Sequence, residues 1–266
     1  MEKLPEKVEL VKLPNGEILD GCFIWPGFAK DISIDIDDLW NKLLSIPTWP
    51  SEKEIPFREK GDDPHWIEGS HPALNYRGHS LKRHKIWCQS EYEKGMRKYG
   101  YTGWQHRISY ATHSYKSVNG MVEYEKAFNS KLKKVGLLGS SEKKHNHWII
   151  TKYNDGIDNI GFHSDKDKDF EPDSWIVIVK MGASRNFDLQ IEGKTFWSKE
   201  LLAGTGIFMN CKANQIVKHA VPPMKKEIGI SGSIVSRCIK TLIPWDKVHK
   251  NVKSSNRNRE KKNKSK

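Results

Sequence analysis

Residues 147–165 read HWIITKYNDGIDNIGFHSD. The stretch begins with a β-branched and aromatic run, passes through an Asn-Asp-Gly turn signal and ends in a His-Ser-Asp triplet, which indicates a strand, a turn and a functional motif in succession. Similar short runs follow at 174–181 (SWIVIVKM), 187–191 (FDLQI), 206–210 (GIFMN) and 232–239 (GSIVSRCI). Because no helical pattern separates these runs, they predict an antiparallel sandwich or jelly roll rather than an alternating βαβ sheet.

The N-terminal half carries helical patterns and one strand pattern. Residues 21–28, GCFIWPGF, indicate a strand that enters a Pro-Gly turn. Residues 35–44 have apolar side chains at helical spacing after an Asp-rich start. Residues 121–135 predict a second helix, whose apolar face is formed by Val122, Tyr124, Phe128 and Leu132. The chain is therefore predicted to be α+β and mainly β, with N-terminal helices packed on one face of a jelly roll.

The order of these patterns divides the 266 residues into four regions. We expect an N-terminal extension at 1–20 and a strand, helix and substrate-recognition region at 21–145. The jelly-roll catalytic core spans 146–245 and forms one domain with the preceding region. Residues 246–266 are rich in Lys, Asn and Ser, and such a segment cannot bury enough apolar surface to fold, so we predict a disordered basic tail.

The net charge of +12 is concentrated at the C-terminus. Residues 246–266 hold nine Lys or Arg and two acids, a net charge of +7, which leaves +5 for the other 245 residues. Two interpretations stay open: a solubilising end or localisation signal, and an arm that binds nucleic acid through phosphate contacts. The composition favours a polyanionic partner.

Two further features of the sequence bear on the compartment. The chain has no apolar run of about 18 residues and its N-terminus is charged, so we expect neither a membrane span nor a secretory signal. The four cysteines, Cys22, Cys88, Cys211 and Cys238, are scattered, which is typical of free thiols rather than of a disulfide or zinc framework. We expect a monomer in a reducing intracellular compartment, the cytoplasm or the nucleus.

The His-Ser-Asp triplet has the spacing of a metal-binding motif. In an extended chain, residues i and i+2 project to the same side, so His163 and Asp165 can hold one cation. His219 follows the run 206–210 and supplies a second imidazole. Two imidazoles and one carboxylate on one face are typical of non-haem Fe(II) oxygenases, which leave positions open for a cosubstrate and O2.

Four segments in order resemble the AlkB-like Fe(II)- and 2-oxoglutarate-dependent dioxygenases. Residues 153–167, YNDGIDNIGFHSDKD, resemble the segment in which Tyr-x-x-Gly leads into His-x-Asp. Residues 180–190 resemble the strand that follows, and 201–223 resemble the segment that ends in the distal His and Pro. Residues 231–239 lie where the family carries its 2-oxoglutarate-binding strand. The resemblance implies a double-stranded β-helix and the cofactors Fe(II), 2-oxoglutarate and O2.

Carried over residue by residue, the resemblance implies roles for the best-matched positions. His163, Asp165 and His219 become the iron ligands and the catalytic centre. Arg237 becomes the cation that pairs with the distal carboxylate of 2-oxoglutarate, for which a guanidinium has a suitable two-point geometry. Tyr153 would donate its hydroxyl to the same cosubstrate.

Other positions match less closely. Thr151 and Ser233 stand at two positions of the cosubstrate pocket where the family often has Asn, and Ser231 stands where it usually has a second Arg. The pocket is therefore expected to keep its main anchor with fewer secondary polar contacts. Asp167 matches a carboxylate that can contact the target base, and Arg185 is a candidate for a substrate contact or for support of the metal face.

Residues 76–119 interleave Arg, Lys, Tyr and Trp. Such a mixture suits a platform for a single-stranded or flipped-out base, in which rings stack on bases and cations contact phosphates. Trp104, Arg107 and Tyr110 are our candidate substrate contacts in this stretch. An alternative interpretation places the aromatic residues in the core beneath the jelly roll.

Three hypotheses about function remain open at the level of sequence. The first is oxidative demethylation of N-alkylated bases in DNA or RNA, with release of formaldehyde, succinate and CO2. The second keeps the iron and the cosubstrate but hydroxylates another target: a base C-methyl group, a protein or a small molecule. The third is a catalytically silent nucleic-acid-binding jelly-roll protein.

Overall fold

The computed structural model describes residues 4–50, 52–53, 63–74, 80–90, 96–98, 113–167, 169–240 and 242–244. Within these ranges the strands are β1 (Glu9–Lys12), β2 (Ile18–Trp25), β3 (His84–Gln89), β4 (Met96–Lys98), β5 (His113–Ser114), β6 (His147–Tyr153), β7 (Ile160–His163), β8 (Trp175–Gly182), β9 (Arg185–Ile191), β10 (Lys194–Leu201), β11 (Gly206–Asn210), β12 (Lys218–Val221), β13 (Ser231–Arg237) and β14 (Leu242–Pro244). The α-helices are α1 (Phe28–Asp31), α2 (Ile36–Leu44), α3 (Met121–Lys134) and α4 (Cys211–Ile216).

The larger sheet that these residues form has eight strands, in the order β1-β2-β11-β8-β13-β6-β3-β5. Its neighbours are antiparallel apart from the parallel pair of β3 and β5. In β8, Ile176 and Ile178 belong to one apolar cluster, whereas Val177 and Val179 belong to the other. Both faces of the sheet are therefore buried, which explains the nearly continuous apolar run of this strand.

A second, four-stranded sheet with the order β10-β9-β12-β7 faces the larger one. Strands β6, β8, β11 and β13 contribute to the larger sheet, and the intervening strands β7, β9, β10 and β12 form the smaller one. Phe187 and Leu189 of the smaller sheet share an apolar cluster with Ile178, Ile207 and Met209 of the larger sheet. This arrangement is a double-stranded β-helix, and it confirms the predicted fold class.

Helix α2 covers the outer face of the larger sheet. Asp35 caps the helix, since its side chain accepts hydrogen bonds from the backbone N–H groups of residues 37 and 38 at 3.1 and 3.0 Å. Trp40 is buried against Gly182 and Gly232, where an added Cβ would lie 2.4 and 2.5 Å from the indole ring. Glycine is therefore required at these two positions for the helix to approach the sheet so closely.

Helix α3 also contributes to the outer core, on a face that differs slightly from the predicted one. Met121, Tyr124, Phe128 and Leu132 are fully buried. The placement of Val122 on this face was wrong, because its side chain is 42% exposed. Met121 takes the buried position, since it lies three residues before Tyr124 and seven before Phe128, the spacing of one helical face.

The N-terminal segment belongs to the sheet. Strand β1 lies within the stretch 1–20, which we expected to be an extension, and pairs with β2. Strand β2 in turn pairs with β11 of the jelly roll. None of the helices in the described ranges is long and apolar enough to cross a membrane.

Candidate metal centre

The pairing of β7 with β12 brings the two candidate histidines together. His163 at the end of β7 is the register partner of His219 on β12, and their ring centroids lie 4.3 Å apart. Asp165 follows two residues after His163. One ligand atom from each of the three side chains lies within 4.8 Å of the others, and no second such cluster of His, Cys, Asp and Glu occurs in the described part of the chain.

Buried contacts fix the positions of these three side chains. Asn214, which is 1% exposed, accepts a hydrogen bond from the backbone N–H of Asp165 and donates one to its carbonyl oxygen, both at 2.8 Å. Nδ1 of His163 lies 2.9 Å from the carbonyl oxygen of Gly161, a contact that orients the ring and leaves Nε2 for a ligand. Phe187 stacks on the ring of His219 at a centroid distance of 5.8 Å.

The electrostatics of the three side chains suit a divalent cation. Burial lowers the pKa of His163 to about 4 and that of His219 well below its usual value, so both imidazoles are neutral, as metal ligation requires. Burial raises the pKa of Asp165 to about 7. Oδ2 of Asp165 and Nδ1 of His219 are buried without a hydrogen-bond partner among the described residues. A bound cation would compensate these buried polar atoms, so the site fits a metal ion.

Arg237 lies directly beside the candidate ligands. Its Nη2 donates a hydrogen bond to Oδ1 of Asp165 at 2.7 Å, and the two side chains are only 6% and 9% exposed. The guanidinium also lies over the ring of Phe170, with Cζ 5.6 Å from the centroid. Arg237 thus contacts the carboxylate of a candidate iron ligand, a contact that the sequence did not predict.

A cavity of about 390 Å³ opens between the two sheets at this centre. It is lined by the three candidate ligands together with the predicted cosubstrate residues, Thr151, Tyr153, Ser233 and Arg237. Thr151 and Ser233 are register partners on β6 and β13. The structure therefore brings the residues predicted to hold iron and 2-oxoglutarate to one pocket.

Arg185 has a structural position. It is fully buried, and its guanidinium donates hydrogen bonds to the backbone carbonyl oxygens of Asp155, Asp158 and Pro222 at 2.7, 2.7 and 2.9 Å. Its Cζ also lies 5.2 Å from the ring centroid of Tyr153. These contacts hold the turn before β7, which agrees with a role of Arg185 in support of the metal face; the alternative role in substrate contact stays a prediction.

The other predicted substrate residues are only partly covered by the structure. Asp167 is half-buried, and its Oδ2 accepts a hydrogen bond from Nε2 of Gln215 at 2.9 Å. Trp104, Arg107 and Tyr110 lie outside the described residues, and so does the basic tail 246–266.

The cavity also contains two cations from the stretch 76–119, which was predicted only to form a platform for nucleic acid. Arg83 and Lys85 both line the cavity. Lys85 on β3 is the register partner of Thr151. A strand pattern in the sequence could have shown that these two cations share one face. The apolar Ile86 and Cys88 alternate with Lys85 and Trp87, and Arg83 lies two residues before Lys85.

The family model of the 2OG-Fe(II) oxygenase superfamily matches residues 61–259. No curated protein matches the chain. Similar solved structures include OsALKBH1, with 14% identity, 82% of this chain and 96% of that chain covered and a TM-score of 0.44.

Two further solved structures have the same TM-score of 0.44. One is a prolyl hydroxylase from Trichoplax adhaerens in complex with a peptide fragment of hypoxia inducible factor, with 9% identity and coverage of 83% of this chain and 84% of that chain. The other is a bsmA homologue from Methylobium petroleophilum PM1, with 10% identity and coverage of 82% and 87%. Similarity at this level carries no argument about the substrate of this chain.

Proposed function

The chain belongs to the 2OG-Fe(II) oxygenase superfamily, and from this premise we propose that it oxidatively demethylates N-alkylated bases in DNA or RNA. The cofactors of the superfamily are Fe(II), 2-oxoglutarate and O2, which together supply the oxidation of a C–H bond while 2-oxoglutarate is converted to succinate and CO2. The chain is thus an oxidoreductase of the dioxygenase type.

The proposal assigns the metal to the clustered triad. The neutral imidazoles of His163 and His219 and the carboxylate of Asp165 would hold Fe(II) at the wall of the cavity. Asn214 fixes the backbone of Asp165, and Arg237 fixes its carboxylate. Phe187 stacks on the ring of His219 and forms part of the cavity wall beside the triad.

The positive charge of the chain is the observation that supports a nucleic acid as the substrate. The protein has a net charge of +12, and Lys166 lines the cavity beside the metal centre. Lys166 is exposed between Asp165 and Asp167, so it is positioned to meet a phosphate next to a base that enters the cavity. Cations of this kind attract a polyanion and strengthen its binding by counterion release.

Demethylation follows from the bond that is oxidised. Hydroxylation of an N-methyl group gives a hemiaminal, which breaks its C–N bond to release formaldehyde and leaves the unmodified base. A base inside a duplex cannot reach a buried centre, so the substrate must be single-stranded or flipped out. We further propose that the protein acts in a reducing compartment, because all four cysteines are free and three of them are buried.

The proposal is tested by incubating the protein with Fe(II), 2-oxoglutarate, O2 and oligonucleotides that carry different N-methylated bases. We expect mass spectrometry to show loss of the methyl group from one of them, with equal amounts of succinate and formaldehyde. His163→Ala and Asp165→Ala should abolish the reaction, whereas the exposed remote variant Asp37→Asn should not. Succinate formation that no methylated oligonucleotide stimulates would contradict nucleic-acid demethylation.

A second candidate is hydroxylation of another target: a base C-methyl group, a protein side chain or a small molecule. It is favoured by Ser231 and Ser233, which replace polar residues usual in the AlkB-like pocket. The two candidates differ in product, because hydroxylation of a C-methyl group adds one oxygen and releases no formaldehyde. The same mass spectra therefore distinguish them.

A further inference from the structure

We propose that Arg83 and Lys85 bind the distal carboxylate of 2-oxoglutarate, and that Arg237 is a positioning residue for Asp165. Both cations come from β3 and the residue before it, outside the segments that resemble the AlkB-like family. The proposal concerns the cosubstrate end of the cavity and does not depend on which substrate is oxidised.

The cross-strand register places the two cations in rows with the predicted cosubstrate residues. Lys85 pairs with Thr151, which pairs with Ser233. His84 pairs with Lys152, so the preceding Arg83 continues the same register toward Tyr153, the partner of Ser231. Each row thus runs from a cation on the β3 side to a serine on β13.

Both rows end in a serine on β13, Ser233 in one and Ser231 in the other. The side chains of Ser231 and Ser233 are short and uncharged, so neither can pair with a carboxylate as a cation would. Ser233 itself lines the cavity together with Arg83 and Lys85. The positive charge that pairs with a distal carboxylate is therefore available from Arg83 and Lys85, on the far side of β6 from the serines.

Both cations are close to the metal centre and uncommitted to another acid. Both line the same cavity as His163, Asp165 and His219. Neither forms an ion pair with any described residue, and Nε of Arg83 is buried without a hydrogen-bond partner there. Nζ of Lys85 lies 5.9 Å from the ring centroid of Trp87. Both residues are half-buried, and cations partly removed from water are stabilised by an anionic ligand.

Arg237 is placed differently. One of its amino groups is held by Oδ1 of Asp165 at 2.7 Å, at the end of the cavity where the ligand side chains converge. The distal carboxylate of 2-oxoglutarate is the end that points away from the metal. A residue bonded to a ligand carboxylate is therefore better placed to orient that ligand than to bind the far end of the cosubstrate.

The test measures binding without turnover. The full-length protein is loaded with Mn(II) under anaerobic conditions, and calorimetry gives the affinities for 2-oxoglutarate and for 2-oxopentanoate, which has the same 2-oxo acid group but no distal carboxylate. We expect the wild type to prefer 2-oxoglutarate. Arg83→Gln and Lys85→Gln should each weaken 2-oxoglutarate binding by about 10- to 100-fold, the effect of losing a hydrogen bond to a charged group, and should leave 2-oxopentanoate binding nearly unchanged.

Three variants serve as comparisons. Lys82→Gln removes one exposed positive charge next to Arg83 and should leave both affinities unchanged. Arg83→Lys keeps the charge and should retain part of the preference, which also covers the case in which Arg83→Gln does not fold. Arg237→Gln should weaken Mn(II) binding while the preference between the two oxo acids persists.

Two outcomes would overturn the proposal. One is a double variant, Arg83→Gln with Lys85→Gln, that still prefers 2-oxoglutarate to 2-oxopentanoate as strongly as the wild type does. This outcome would overturn the proposal even if the double variant binds oligonucleotides more weakly. The other is loss of the preference in Arg237→Gln. Because neither ligand contains a nucleic acid, these results are independent of the demethylation proposed above.

Discussion

At the scale of single residues, the His-x-Asp spacing predicted which side chains meet, but it did not reveal what holds them. Asn214 lies 49 positions from Asp165 in the sequence and makes both backbone hydrogen bonds that fix it. An Asn in a short polar helix has no distinctive pattern. Its role becomes visible only when α4 packs beside the loop that follows β7.

Asn214→Ala is expected to weaken the metal centre. The substitution leaves a buried N–H and a buried carbonyl group of Asp165 without partners, at a cost of about 1–3 kcal/mol for each group. We expect metal affinity to fall by about 10- to 100-fold, as for other residues that orient a ligand. Metal titration followed by calorimetry measures the loss.

Gln215→Ala is the matched control, since it removes the neighbouring amide that contacts Asp167 instead of the backbone of Asp165. It should leave metal affinity close to that of the wild type. Equal affinities for both variants would show that Asn214 does not position the ligand.

At the scale of elements, the strong apolar patterns located β6, β8, β9, β11 and β13 to within about two residues. The sequence did not identify β7, β10 and β12 as strands. Strands β7 and β12 are four residues long, and β10 carries charged and exposed residues along most of its length. Their extended form is stabilised by pairing with neighbours that are distant in sequence, so local propensity is a weak guide to them.

The contact between α2 and the larger sheet gives a prediction at this scale. In Gly232→Ala the new Cβ would lie 2.5 Å from the ring of Trp40 and 2.6 Å from the carbonyl oxygen of Thr151. Either the helix or the strand must shift, so we expect the free energy of unfolding to fall by about 1–3 kcal/mol. Chemical denaturation measures the change.

Gly161→Ala provides the comparison for this prediction, because an added Cβ at Gly161 meets no atom within 4 Å. Its free energy of unfolding should stay close to that of the wild type. A Gly232→Ala protein as stable as this control would show that the close approach of Trp40 does not require glycine.

At the scale of the whole molecule, buried imidazoles couple the fold to pH. Burial lowers the pKa of His145 to about 3 and that of His147 to about 4, whereas an unfolded chain titrates near 6.5. Below about pH 6.5 the unfolded state therefore binds more protons, and stability is lost as the pH falls toward 4. Each group contributes a slope of about 1.4 kcal/mol per pH unit within this window.

The free energy of unfolding of the metal-free protein is measured between pH 4 and pH 7 for the wild type and for His145→Leu. Steps of about 0.5 pH unit resolve a slope of this size. Asp165, whose pKa is raised to about 7, contributes with the opposite sign in both proteins. The variant should therefore have a smaller net slope than the wild type. Identical slopes would show that His145 is not buried in its neutral form.

The basic tail gives a second prediction for the whole chain. Removal of residues 247–266 takes away nine Lys or Arg and one Glu. If the tail binds phosphates, the affinity for an oligonucleotide should become less dependent on salt, since fewer counterions are released. Binding is measured over a series of salt concentrations. An unchanged slope would favour a solubilising end or a localisation signal.

The sequence by itself predicted the fold class of this protein and named the three side chains that meet at the candidate metal centre. Successive β-branched and aromatic runs with no helical pattern between them indicate two facing sheets. A His-x-Asp spacing in an extended chain places two candidate ligands on one side. Both signals are local, because they depend only on the period of a strand. His219 could be added because the resemblance of the surrounding segments fixed its position in the order of strands.

Only the tertiary structure decided which cations line the cavity and which residues contact the candidate ligands. Arg83 and Lys85 reach the cavity because β3 joins the sheet beside β6, and Arg237 reaches Asp165 because β13 lies opposite the loop after β7. Lys85 and its register partner Thr151 are 66 positions apart in sequence, and Arg237 and Asp165 are 72 apart. Such contacts depend on the register of whole strands, which is set by the packing of both sheets and has no local pattern of its own.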